Sequence, residues 1–215
     1  MYVPSSFQEN DPCLLHALVQ ENGFGLLVTV EEGEAHATHL PMLLDPHCGR
    51  RGSLFGHLAA TNPQWRSFDG KRPALAVFSG PHAYVSPRWY TRLRNVPTWN
   101  YVAVHVRGAP RVIEHREGSD LLKRTMVFYE SAFPEPFGFD SIPGDYVEGL
   151  LGAIVAFELP ITRIAGARKL SQNKGSIERA RIAEGLRATG DASAARVATL
   201  VEDAGRAAHA RRPAP

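Results

Sequence analysis

The chain has 215 residues, 44% of them hydrophobic and 21% charged, and carries a formal net charge of +2. That length buries a core without disulfides or a structural metal, and one domain with an appendage is the natural expectation. The two cysteines, Cys13 and Cys48, lack CxxC spacing and read as reduced thiols, not as a disulfide framework. No apolar run is long enough to span a bilayer, and the first ten residues lack the basic and apolar regions of a signal peptide, so a cytoplasmic protein is expected.

In chain order, Asn10 or Asp11 caps a first helix that runs through Gln20, with Pro12 at its first position. Residues 25–30 read as a buried strand and 35–44 as its hairpin partner across a Glu-Glu-Gly-Glu turn. Residues 53–56 are a strand, and 57–65 are expected to form a short helix ended before Pro63. Residues 74–79 form a strand broken by Gly80-Pro81-His82, and 83–86 a further strand stopped by Pro87. Residues 88–97 have no periodicity. Residues 99–108 alternate: Val102, Val104 and Val106 point one way, and Trp99, Tyr101, Ala103, His105 and Arg107 the other, with Asn100 on the valine side. Residues 110–114 continue as a neighbouring strand. Ser119 is expected to cap a helix carrying Leu121, Leu122, Thr125, Met126 and Tyr129, and residues 153–159 read as a strong strand. From Ser176, two amphipathic helices flank Thr189-Gly190-Asp191, and residues 207–215 are expected to fray. Seven to nine short strands with few helices between them favour an antiparallel barrel over a parallel sheet.

Charge and aromatic side chains concentrate together. Residues 66–111 hold eight Lys/Arg against one acid, a net +7, so the rest of the chain is net negative. Trp65, Trp89 and Trp99 lie inside or beside that segment, as do Tyr84, Tyr90 and Tyr101. Cations favour an anion and flat side chains favour a flat ligand, which together point to a flat phosphorylated ligand. A basic surface beside a core strand explains the same composition equally well.

Other chemistry is thinner. His36 and His39 sit on opposite faces of a strand and do not chelate one ion, so no metal site is expected. Ser86 and Ser171 lie in no nucleophile elbow. Glu158, a lone acid in an apolar run, is expected to be satisfied at a strand edge. The terminal helices carry seven Arg against five acids over residues 176–212, a thin footprint for DNA, and read as a structural hairpin.

Four motifs carry a resemblance: Leu54-Phe-Gly-His-Leu-Ala-Ala-Thr-Asn-Pro-Gln-Trp65, Gly80-Pro-His-Ala-Tyr-Val-Ser-Pro-Arg-Trp-Tyr90, Val96-Pro-Thr-Trp-Asn-Tyr-Val-Ala-Val-His105 and Lys169-Leu-Ser-Gln-Asn173. With Met1-Tyr2 and Phe7, they make the chain similar to the PaiB-type family of FMN-binding negative transcriptional regulators over about residues 1–190. The resemblance implies a mainly β protein with peripheral helices: an FMN-binding split β-barrel of the pyridoxamine-phosphate-oxidase type over residues 1–175, followed by a helical extension over 176–215. It also implies a homodimer with FMN at the subunit interface and a role in repressing transcription, hence DNA as a possible partner by resemblance alone.

The implied cofactor residues are His57, Asn62, Trp65, Tyr84, Ser86, Arg88, Trp99, Asn100, Tyr101, Lys169, Ser171 and Gln172. The segment 57–65 would meet the phosphate at a helix N-terminus, with His57 where many relatives carry Lys or Arg. Lys169, Ser171 and Gln172 would close the site from the partner. Two other readings stay open: an FMN-dependent oxidoreductase of the reductase or oxidase type, and, more weakly, a haem-binding split barrel with His82 or His105 as axial ligand.

Overall fold

The computed structural model describes residues 1–91 and 95–210. Nine strands and five α-helices are assigned among them: β1 (Gln8–Glu9), α1 (Pro12–Glu21), β2 (Phe24–Glu31), β3 (Glu34–Pro41), β4 (Leu43–Asp45), β5 (Ser53–Ala59), β6 (Ala74–Val85), β7 (Thr98–Gly108), β8 (Arg111–Val112), α2 (His115–Glu130), α3 (Gly144–Gly152), β9 (Ile154–Lys169), α4 (Ser176–Ala188) and α5 (Ala192–Ala210). The strands form one sheet in the order β3-β2-β6-β7-β9-β5-β4, with β1 and β8 each pairing β9. Every recorded pairing is antiparallel, as expected for a barrel. No helix among the described residues is long and apolar enough to cross a membrane.

The chain divides into two compact units. One comprises residues 1–18, 79–104 and 165–215; the other comprises 19–78 and 105–164. Strands β6, β7 and β9 contribute to both. In the first unit the buried side chains include Val85, Val102, Val104, Leu170, Ile182, Leu186, Val197 and Val201. In the second they include Leu27, Leu54, Phe78, Val106, Leu121, Phe157 and Leu159.

Local sequence explains most elements. The β2–β3 hairpin turns on Glu32 (φ 51°) and Gly33 (φ 88°), the doubly left-handed pair that matches the twist of the flanking strands. In α1, the Asp11 carboxylate accepts from the Cys13 N–H at 2.9 Å. Glu158, on β9, is satisfied, but inside the sheet and not at a strand edge, because its backbone lies between Phe55 of β5 and Arg111 of β8: the buried side chain accepts from Ser53 Oγ at 2.8 Å, from Cys48 Sγ at 3.5 Å and from Arg111 at 2.5 Å.

Three expectations are corrected. Strand β5 runs on through His57 to Ala59, because those residues pair with Ile154 to Ala156, and Pro63 begins a 3₁₀ turn (Pro63–Ser67) instead of following a helix. Gly80-Pro81-His82 does not break β6. Gly80 lies close against Val102, and the His82 backbone finds partners on a distant helix. Helix α2 starts upstream of Ser119, because Glu117 accepts from the Glu114 N–H at 3.2 Å and closes the N-terminus there. Arg92 and Arg94, and residues 211–215 of the terminal segment, lie outside the described residues.

Removing the Arg111 guanidinium would leave a buried carboxylate one charged partner short. Arg111→Met should therefore lower unfolding stability by about 1.5–3 kcal/mol in a urea titration. Adding Glu158→Met to it should recover much of that loss. Equal stability of Arg111→Met and the parent would show that Ser53 and Cys48 satisfy Glu158 without the guanidinium.

Candidate functional site

The alternation of β7 is realised as read. Val102, Val104 and Val106 are buried, Asn100 lies on their side at 1% exposure, and Trp99 is 52% exposed on the other. On β6, Ala83 and Val85 are buried while His82 and Tyr84 face outward. The outward rings meet: the His82 and Trp99 centroids are 6.0 Å apart, and Tyr84 meets Trp99 edge-to-face at 6.2 Å. Beyond β6, the Ser86 hydroxyl accepts from the Arg88 N–H at 3.4 Å and helps turn the chain, leaving Arg88 exposed. The result is an open aromatic face on which a flat ring system can stack, worth roughly 1–3 kcal/mol per stacked ring by analogy with nucleobases.

The turn after β9 belongs to the same unit. Lys169 Nζ donates to Thr98 Oγ1 at 2.5 Å and stands 6.0 Å from the Phe7 ring centre. Asn100 Nδ2 donates to Ser171 Oγ at 2.9 Å, and that hydroxyl donates back to Asn100 Oδ1 at 3.2 Å. Both side chains are buried, and Ser171 holds a left-handed φ of 59°, a conformation a serine adopts only when its surroundings impose it. Gln172 closes its own turn: its carbonyl oxygen accepts from the Leu170 N–H at 2.7 Å and its amide donates to the Arg168 carbonyl.

His57, Asn62 and Trp65 lie in the other unit. His57 is half-buried on β5, and burial holds its pKa below the ordinary 6.5, so the ring is uncharged at neutral pH. Both polar atoms of the Asn62 amide have a partner: Oδ1 accepts from the Gln64 N–H and Nδ2 donates to Thr38 Oγ1, each at 3.0 Å. Trp65 donates its indole N–H to the Ala60 carbonyl at 3.0 Å. The expected anion site at a helix N-terminus is not built here. The turn has five residues, Pro63 brings no N–H, and the Gln64 N–H is already capped.

Gln64 was not legible as an organising residue. Buried, it donates to the Leu27 carbonyl (3.2 Å), Thr29 Oγ1 (3.1 Å) and the His36 carbonyl (3.2 Å), and it accepts from Thr38 Oγ1 at 2.6 Å. These bonds tie the 62–67 turn to the β2–β3 hairpin. A glutamine between Pro63 and Trp65 gives no periodic signal of that role.

The basic segment is also less free than its composition implied. Arg111 pairs with Glu158, and Arg72 pairs with Glu31 and Asp69, both at 3.3 Å. A cleft of about 770 Å³ along α4 and α5 holds none of the predicted residues, and its Arg187 and Glu202 neutralise each other. The planar ring system of a flavin nucleotide would suit the aromatic face, and Arg88 and Lys169, among the described cations of the first unit, could carry charge opposite its phosphate. Such a cofactor would bring the redox chemistry; the chain would orient and shield it.

The fold is that of split-barrel flavin-binding proteins. The chain superposes on the FAD and heme binding protein from Mycobacterium smegmatis with a TM-score of 0.54 and 15% identity, over 75% of this chain and 73% of that one. It superposes on the conserved hypothetical protein Rv2991 from Mycobacterium tuberculosis with a TM-score of 0.56 and 11% identity, over 81% and 94%. More particularly, the chain belongs to the family described as "Putative FMN-binding domain", whose pattern matches residues 1–163. It is 38% identical over 206 residues to the protease synthase and sporulation protein PAI 2 of Bacillus subtilis, covering 94% of this chain and 97% of that one. It is 27% identical to the uncharacterized protein AN0679 of Emericella nidulans, over 95% and 98%.

The histidines give a pH signature. His57 is held below its ordinary pKa by burial, and burial is also the main cause that holds His105 down. Below about pH 6.5 the unfolded chain takes up protons that the folded chain refuses, so stability present above that pH is lost as pH falls toward the folded values. Between about pH 7.5 and 5.5, the urea midpoint of the parent should fall more than that of His57→Gln. Parallel curves would show that His57 is not the group responsible.

Proposed function

We propose that this protein binds FMN as a homodimer in the cytoplasm and acts as a negative transcriptional regulator, with residues 1–175 as the FMN-binding domain and 176–215 as an appended helical hairpin. The observation that carries the reading is the exposed His82–Tyr84–Trp99 face in a chain of an FMN-binding family. In this reading Tyr84, Trp99 and Tyr101 border the flavin ring. Arg88 and Lys169 carry the charge opposite the phosphate, because His57 is neutral at the working pH. Asn100, Ser171 and Gln172 shape the turn that holds Lys169. Asn62 and Trp65 act by fixing the segment after β5, through the bonds to Thr38 and Ala60.

The dimer is supported by apolar side chains left in water. Val127, Phe133, Phe137, Tyr146 and Leu150 are each 44–61% exposed over one 24-residue stretch. A single copy would keep that surface wet, whereas a second copy would cover it. The regulatory role is supported by the likeness to a relative named for protease synthesis and sporulation.

FMN should bind more tightly than riboflavin in a fluorescence titration, by at least the roughly 1.5–3 kcal/mol of one charge-assisted hydrogen bond. Trp99→Ala should cost more flavin affinity than folding stability, because half of the ring is already in water. Equal affinity for FMN and riboflavin would remove the phosphate from the account.

Sedimentation at micromolar concentration should give one species of twice the chain mass. A monomer that binds FMN would refute the dimer. Rapid NAD(P)H oxidation by the FMN-loaded protein would favour the oxidoreductase reading, and a Soret band in the purified protein would favour haem.

A further inference from the structure

Residues 164–215 lie beyond the family match, and their helices grip the strand that carries the aromatic face. Asp191 starts α5 by accepting from the Ala194 N–H at 2.7 Å, which sets Ser193 in the first turn. The Ser193 hydroxyl accepts from the His82 N–H at 3.1 Å and donates to the His82 carbonyl at 2.9 Å. One side chain thus satisfies both backbone groups of His82, as a neighbouring strand would. The His82 ring in turn packs on Trp99.

Further along, the Trp89 indole lies against α4 at Gly185, where any Cβ would overlap the ring. Thr91 Oγ1 donates to Glu178 at 3.3 Å. Lys174 Nζ donates to Asn95 Oδ1 at 2.8 Å and sits 4.5 Å from the Tyr90 ring centre. These contacts fall on residues 82–91, the stretch that presents Tyr84, Ser86 and Arg88, and on Asn95.

We propose that the α4–α5 hairpin is a clamp that sets the ligand affinity of the aromatic face, with Ser193 and Gly185 as its positioning residues. The proposal rests on the FMN reading only for the identity of the ligand. Its physical content is linkage. If the hairpin holds 82–91 in the binding conformation, a ligand that orders 82–91 must hold the hairpin by the same factor. The family's barrel would then report occupancy to a helical surface that the family pattern does not include.

The test uses the full chain with Ser193→Ala, Ser193→Thr and Gly185→Ala, reading FMN affinity by fluorescence and backbone hydrogen exchange with and without FMN. Ser193→Ala and Gly185→Ala should weaken FMN about fivefold or more, the low end of measured couplings between sites. Both should speed exchange over 82–91 in the free protein, and Ser193→Thr, which keeps the hydroxyl, should match the parent. FMN should slow exchange in the first turns of α5 in the parent and lose that effect in Ser193→Ala. Parent-like affinity and parent-like exchange in a folded Ser193→Ala would overturn the clamp. If Gly185→Ala does not fold, the Ser193 pair decides. If the parent binds no flavin, the FMN reading fails by itself. Exchange over 82–91 in the free proteins then still judges the clamp: faster in Ser193→Ala supports it, unchanged refutes it.

Discussion

A β-strand that buries one face must present the other, and β7 turns that constraint into an exposed aromatic face. Burying Val102, Val104 and Val106 obliges Trp99 and Tyr101 to face away from the core. Strand β6 obeys the same rule beside it: burying Ala83 and Val85 sends His82 and Tyr84 outward. The aromatic face is therefore not an addition to the barrel. It is the necessary reverse of two core strands, so its geometry is as firm as the packing behind it.

Buried polar groups fix the edges of that arrangement. Asn100 shares the valine side of β7 and would be costly there alone, but Ser171 pairs with it in both directions. That pair joins the start of β7 to the turn after β9, where Ser171 takes its left-handed conformation. In the other unit, Gln64 does the same for the 62–67 turn and Glu158 for the centre of β9. Each is a polar side chain whose removal leaves partners unmatched.

What could be read from the sequence follows the range of the interactions involved. The β2–β3 hairpin, the β7 alternation and the two terminal helices depend on spacing within a dozen residues, and all three were legible. The continuity of β6 was not. Gly80-Pro81 reads as a break by local rules, but the His82 backbone is satisfied by Ser193, 111 positions away. The start of α2 was misplaced because Ser119 is a better cap by type than Glu114, and only the reciprocal Glu117 bond decides between them. For the candidate site, aromatic and basic residue types were visible in the sequence. The bonds that already occupy Asn62, Trp65 and Gln172 were not, nor were the ion pairs of Arg72 and Arg111.

The central claim is that the outward face of β6 and β7 receives the flavin. The three tryptophans provide separate reporters of it. Trp65 has its indole N–H tied to the Ala60 carbonyl, Trp89 lies against Gly185, and Trp99 stands half-exposed on the face itself. The most direct measurement follows the three indole N–H resonances of the ¹⁵N-labelled protein as FMN is added, with each assigned by a Trp→Phe substitution. The account predicts that the Trp99 resonance moves first and furthest, saturating with the same dissociation constant as the flavin fluorescence. Saturable FMN binding with the Trp99 resonance unmoved would contradict it and send the site to another surface.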